Sequence, residues 1–130
     1  MTHRSAVRVR YAETDQMGVV YHANYLIWME IGRVEYARAA GLPYKRLEAA
    51  GVFMAVVEAN CRCLAPARYD DEVEIETQVE RAASRGIWFR YTFWRGGIKL
   101  GEGYTRHLFL DRALKPTRLP EQYYSVFGIS

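Results

Sequence analysis

Four extended stretches, residues 53–64, 72–82, 87–94 and 98–110, follow one long helical stretch and are joined mainly by tight turns. Pro66 with Asp70 and Asp71 breaks the first from the second; Ser84, Arg85 and Gly86 break the second from the third; Gly96 and Gly97 form a tight hairpin between the last two. So few helices cannot cover both faces of a sheet. The expected class is therefore α+β: an antiparallel sheet wrapped against one buried helix, with a fifth strand from residues 6–13, whose apolar and polar residues alternate with period two. At 130 residues the chain fits one domain, residues 1–130, with a single two-layer core.

From residue 23 to residue 40 the period changes to that of a helix. Tyr25, Trp28, Met29, Gly32, Tyr36, Ala39 and Ala40 share one face; Glu30, Arg33 and Arg38 gather opposite, with Ile27, Ile31 and Val34 between, so the helix should be largely buried. Asn24 is the candidate N-cap. Gly41 and then Pro43 stop the helix. Gly32 sits in the apolar face, where glycine costs a helix about 1 kcal/mol. That points to a close approach between helix and sheet. Residues 43–50 can form a short second helix and residues 116–127 one further helical turn.

Half of the residues are apolar and 25% charged, ordinary values for a folded protein. The net charge of +3 comes from 18 Lys and Arg scattered among 15 Asp and Glu without a basic run, which argues against a nucleic-acid-binding tail and a polybasic membrane anchor. There is no apolar run of about 18 residues to span a bilayer and no basic-then-apolar leader, so a cytoplasmic location without membrane insertion is expected. Cys61 and Cys63 point to the same face of a strand, a poor geometry for a disulfide and too few ligands for a structural zinc; both are expected reduced. His3, His22 and His107 have no metal-ligand spacing, so no metal is expected.

The chemistry-bearing connection runs from Glu13 to Tyr25, between the first strand and the long helix. A connection entering a helix N-terminus offers unpaired amides and the positive end of the helix dipole, which can polarise a carbonyl oxygen. Gly18 lets the backbone turn close to a ligand, and the amides near Tyr21 and His22 are the natural donors. Asp15, a few residues upstream, can serve as general base toward water or as nucleophile. The chain has no G-x-S-x-G elbow, H-E-x-x-H helix or phosphate-cradling glycine loop. A thioester suits such spare equipment, since its thiol, with a pKa of about 8.5, leaves without a strong acid. The competing reading of Asp15 is a turn former or cap, and of His22 a structural hydrogen-bond partner.

The run VRYAETDQMGVVYHANYLIWMEIGRVEYAR, from Val9 to Arg38, resembles the opening of the 4-hydroxybenzoyl-CoA thioesterase-like group of hotdog-fold proteins, which includes acyl-CoA thioesterases associated with the Tol-Pal system. The motif D-x-M-G-V-V-Y-H-A-N-Y, the E-x-x-R-x-E-Y pattern on the helix, the later strands and KPTRLP near the end carry the likeness. It implies a hotdog fold and hydrolysis of an acyl- or aroyl-CoA thioester to the free acid and CoA. Asp15 takes the catalytic carboxylate position, and His22 the position whose amide faces the thioester carbonyl. Tyr21 and Asn24 shape the loop and the acyl pocket, and Gly18 joins them as a candidate substrate-binding residue. The resemblance also implies a homodimer whose sheets join edge to edge, doubled to a homotetramer, with CoA lying across the subunit interface near ERAASRG. There Arg81, Ser84 and Arg85 are the candidates for its phosphates. No cofactor is implied, coenzyme A being part of the substrate. Glu30 and Glu35, on the helix where another hotdog branch carries its catalytic glutamate, are read as structural.

Two alternatives stand beside hydrolysis. One is a non-catalytic module that binds an acyl thioester or a partner protein. The other is an acyl hydratase or dehydratase, whose carboxylate and histidine sit at a spacing that Asp15 and His22 do not reproduce.

Overall fold

The computed structural model describes residues 1–130. Its strands are β1 (Thr2–Arg8), β2 (Phe53–Cys63), β3 (Glu72–Ala83), β4 (Gly86–Arg95) and β5 (Ile98–Leu110), and its α-helices α1 (Ala23–Ala39) and α2 (Tyr44–Ala49). Two short 3-10 helices, Tyr11–Glu13 and Glu121–Phe127, complete the chain. The strands form one five-stranded antiparallel sheet in the order β1-β3-β4-β5-β2, so β1 and β2 are its free edges. This is the expected α+β architecture of a sheet curled against one long helix.

Alternation along β3, β4 and β5 sends Val73, Ile75 and Thr77, then Ile87, Phe89, Tyr91 and Phe93, then Thr105, His107 and Phe109 inward. Tyr25, Trp28, Met29, Tyr36 and Ala37 of α1 meet them, and Tyr25 and Tyr36 pack edge-on against Phe93 and Phe89. At Gly32 the helix approaches the sheet as expected: a Cβ there would lie 2.5 Å from Thr77 Oγ1 and 2.8 Å from Ile75 Cγ2. α1 lies mainly over β1 and β3, so the inner faces of β5 and β2 are less covered. The chain contains no helix long and apolar enough to cross a membrane.

Several expectations need correction. The first strand is Thr2–Arg8, not 6–13, because its inward positions are His3, Ser5 and Val7. Two polar residues there hide the alternation from a hydrophobicity pattern. Residues 11–13 leave the sheet and coil, held by the Arg10 amide donating to Glu13 Oε1 (2.8 Å). His22, not Asn24, stands at the N-cap, and its side chain makes no cap hydrogen bond. On α1, Ala39 is exposed, while Arg33, expected opposite the core, is only 7% exposed. Leu26 and Ile27 are 44% and 50% exposed, so one flank of the helix is less buried than its apolar character suggests.

Candidate functional site

The connection from the 3-10 turn to α1 is a closed loop. Thr14 and Val20 pair as an isolated antiparallel bridge, the Asp15 amide donates to Val19 O (2.9 Å), and the Gly18 amide donates to Asp15 O (2.9 Å). Gly18 has φ +77°, a conformation that side chains disfavour, so glycine is what allows the loop to close. The Val20 amide donates to Ala67 O (2.8 Å), pinning the loop to the segment after β2.

Asp15 is half-buried. Its Oδ1 accepts the Met17 amide (2.9 Å) in an Asx-type turn, and its other carboxylate oxygen has no partner in the chain. Asp15 and Gly18 line an open depression of about 620 Å³ with Tyr11, Ala12, Thr14, Gln16 and Tyr69. Tyr11 and Tyr69 are exposed and meet edge to face at 5.5 Å.

The amides divide in an informative way. Those of Asn24 and Tyr25 donate to Tyr21 O and His22 O, and that of Tyr21 donates to Glu13 O (2.9 Å). The Tyr21 amide, expected as a ligand donor, is therefore already used. The amides of His22 and Ala23 have no acceptor within the chain and stand at the positive end of a 17-residue helix. The His22 ring is exposed and lies against Tyr21, with centroids 4.5 Å apart. Asn24 braces the loop from within, its Nδ2 donating to Glu13 O (2.9 Å).

Glu13 is the residue that sequence reasoning passed over. It is 5% exposed, and its Oε2 accepts from Trp28 Nε1 of α1 (3.0 Å) while its Oε1 accepts the Arg10 amide. Its backbone carbonyl accepts from both Tyr21 and Asn24. It thus ties the loop to the first turns of α1. The available signal was Trp28, whose indole N-H needs an acceptor when its ring is buried.

Arg81, Ser84 and Arg85 lie elsewhere. Arg81 is in β3, and Ser84 and Arg85 form the turn between β3 and β4. Asp71 O accepts the Val9 amide (2.9 Å), so the Asp15 loop belongs to the other end of β3. At about 3.3 Å per residue, the 11 steps from Glu72 to Ala83 give a contour of roughly 36 Å between the two ends. Around the turn, the guanidinium groups of Arg81 and Arg106 lie 5.6 and 5.4 Å from the Trp88 ring, and Arg81, Arg85 and Arg106 line a cavity of about 180 Å³. None of the three pairs with a carboxylate.

Cys61 and Cys63 are free thiols, as expected. Burial, then the neighbouring Cys63, pushes the Cys61 thiol up to about 12, which makes it a poor nucleophile at neutral pH.

Residues 9–127 match the thioesterase-like superfamily. Among individual proteins, the chain is 32% identical over 124 residues to the acyl-CoA thioesterase YbgC of Haemophilus influenzae, covering 93% of this chain and 90% of that protein. YneP of Bacillus subtilis is 44% identical over 77 residues, a match that spans 59% of this chain and 56% of YneP. The crystal structure of a hypothetical protein, TT1821, from Thermus thermophilus superposes with a TM-score of 0.92 at 45% identity over 96% of each chain.

Proposed function

The chain belongs to the thioesterase-like superfamily and is a thioester hydrolase with the hotdog fold, and we propose that it hydrolyses an acyl- or aroyl-CoA at the Asp15 loop. The observation that carries this reading is the pairing, in one connection, of a carboxylate with a free oxygen and two unpaired amides at a helix N-terminus.

The thioester carbonyl oxygen accepts from the His22 and Ala23 amides, which stabilise the charge that develops as the carbon becomes tetrahedral. Asp15 takes a proton from water as it attacks that carbon, or attacks the carbon itself and is freed by water. Collapse breaks the carbon-sulfur bond and expels CoA thiolate, which needs no strong acid. No cofactor takes part. Gly18 shapes the loop, Asn24 fixes its register against Glu13, and the exposed rings of Tyr21 and His22 border the entry.

The acyl-carrying end and the candidate CoA phosphate site, Arg81, Ser84 and Arg85 with Trp88 and Arg106, lie too far apart in one chain for one substrate. A homodimer resolves this. The Cys63 end of β2 pairs with Gly101 near the Asp15 end of the sheet, and its Phe53 end pairs with Leu110 near the Ser84 turn. A second copy added antiparallel along the free edge of β2 therefore sets one subunit's arginines beside the other's Asp15 loop. We assign the chain to such a homodimer, paired further into a homotetramer, and to the cytoplasm, where its free thiols stay reduced.

The test is thiol release from a panel of short, medium, long and aromatic acyl-CoAs, with sedimentation of the same sample. Release from at least one ester by a dimer or tetramer is expected. An enzyme silent on every acyl-CoA, or one that works as a monomer, contradicts the proposal.

A further inference from the structure

Trp88 stands between two cations on the outer face of the sheet. Its neighbours Ile87 and Phe89 are buried, as Thr105 and His107 are around Arg106, so Trp88 and Arg106 point away from α1. They are cross-strand partners on β4 and β5. On the other side the β3 ladder shifts between Val79 and Arg81, and this bulge sets Arg81 rather than Glu80 opposite the indole. Two strand spacings place the Arg81 and Arg106 backbones about 10 Å apart, with Trp88 between them.

Both guanidinium groups rest on the indole because the carboxylates nearest to them are engaged elsewhere. Glu80, next to Arg81, accepts twice from Arg90 (2.6 and 3.2 Å). Glu58, opposite Arg106 on β2, accepts from the Tyr104 hydroxyl (3.0 Å). At an exposed site a cation over a ring gains about 0.5–1 kcal/mol, less than a charge-assisted bond to an anion. Arg81 and Arg106 therefore leave the ring readily for a phosphate.

Two depressions meet at this row and share Arg81 and Trp88. One is the cavity of about 180 Å³ with Arg81, Arg85 and Arg106 in its wall. The other is open, about 380 Å³, and is lined by Glu80, Arg81, Trp88, Arg90 and Tyr104. In it the Trp88 and Tyr104 rings lie 5.5 Å apart at 38°. The first depression offers positive charge, and the second offers the aromatic surface on which a base stacks. Two sheets joined edge to edge along β2 continue this outer face rather than cover it. It also carries the cross-strand ion pairs of Arg4 with Glu74, Arg62 with Glu102 and Arg90 with Glu80, which favour water over a subunit contact.

Resting on the thioesterase reading, we propose that this row reads the nucleotide end of CoA, with Arg106 on the 3′-phosphate, Arg81 and Arg85 on the pyrophosphate, and the adenine against Trp88 and Tyr104. As the phosphates draw the guanidinium groups off the indole, its face is freed for the base. The substrate class is then a thioester of CoA itself. An acyl group on acyl carrier protein hangs from a phosphodiester with neither adenine nor 3′-phosphate, and leaves Arg106 and the paired rings without a ligand.

Three thioesters of one acyl group, the one cleaved best as its CoA ester, test this: the esters of CoA, dephospho-CoA and pantetheine, compared by kcat/KM from thiol release. The wild-type chain should favour the CoA ester over the dephospho-CoA ester by about tenfold or more, the size of one charge-assisted contact, and the difference should lie in KM. Arg106→Gln should bring that ratio close to one, and Arg106→Lys should restore part of it, whereas loss of a merely structural role lowers all three esters alike. Trp88→Leu should narrow the step from the dephospho-CoA to the pantetheine ester. Equal kcat/KM for the CoA and dephospho-CoA esters in the wild-type chain, or a ratio that Arg106→Gln leaves unchanged, overturns the inference while leaving the thioesterase reading intact. Release from an acyl carrier protein thioester but from no acyl-CoA overturns the inference together with the choice of CoA as thiol carrier.

Discussion

Glu13 and Asp15 stand two residues apart and have opposite fates. The Glu13 carboxylate is buried and fully engaged, fastening Trp28 of α1 to the Arg10 backbone. Asp15 is half-exposed, spends one oxygen on the turn that shapes its own loop and leaves the other without a partner in the chain. The histidines divide the same way: His107 is locked in the core against Thr105, and His22 stands exposed at the helix entrance. The same side-chain chemistry serves structure where it is buried against the core, as His107 is even with its Nδ1 unpartnered, and is open to a ligand where it reaches solvent.

That division can be broken experimentally, and the largest effect is expected at Asp15. Asp15→Asn keeps the Oδ1 acceptor that the Met17 amide needs but removes the base or nucleophile, so kcat should fall about 10²- to 10⁴-fold with the unfolding midpoint unchanged. Glu13→Ala should do the reverse. It strands the Trp28 indole and the Arg10 amide, and should cost about 3 kcal/mol in urea unfolding.

Between the histidines the contrast is one of pH. His107 is held neutral in the fold, with its pKa near 3, but takes up a proton near 6.5 once the chain unfolds. The unfolded state therefore binds the extra proton between these values. Stability is fully present above about pH 6.5 and falls by about 1.4 kcal/mol per pH unit below it, or about 2 kcal/mol by pH 5. Urea midpoints at the two pH values should show this loss, and His107→Gln should flatten it. The smallest effect belongs to Gly32→Ala, where overpacking against Thr77 and Ile75 outweighs the gain in helix propensity and leaves a loss of about 1 kcal/mol by the same measurement.

The sequence made the strand-rich half legible because β3, β4 and β5 alternate cleanly and their turns carry Gly96, Gly97 and Ser84. The close approach at Gly32 was legible for a similar reason, since glycine on a buried helix face has few other uses. β1 was misplaced because His3 and Ser5 occupy inward positions, and a polar inward residue looks the same as an outward one in a pattern of hydrophobicity. Arg33 escaped because a helical wheel assigns charge to solvent, whereas the groove beside β2 lets a long polar side chain run inward. At the candidate site, the motif around Asp15 singled out one loop as a unit, but which amides remain unpaired depends on Glu13 O taking the Tyr21 amide, a tertiary detail without a sequence period. The separation of the Asp15 loop from Arg81 and Arg85 was likewise hidden, being set by the length and direction of β3.

The most direct test sets Asp15→Asn beside Glu13→Gln, measuring acyl-CoA hydrolysis and the urea midpoint on the same preparations. The account predicts that Asp15→Asn loses turnover and keeps its midpoint, while Glu13→Gln lowers the midpoint and keeps most of its turnover per folded molecule. Full turnover in Asp15→Asn, with its fold intact, would contradict the assignment of Asp15 as the reacting carboxylate.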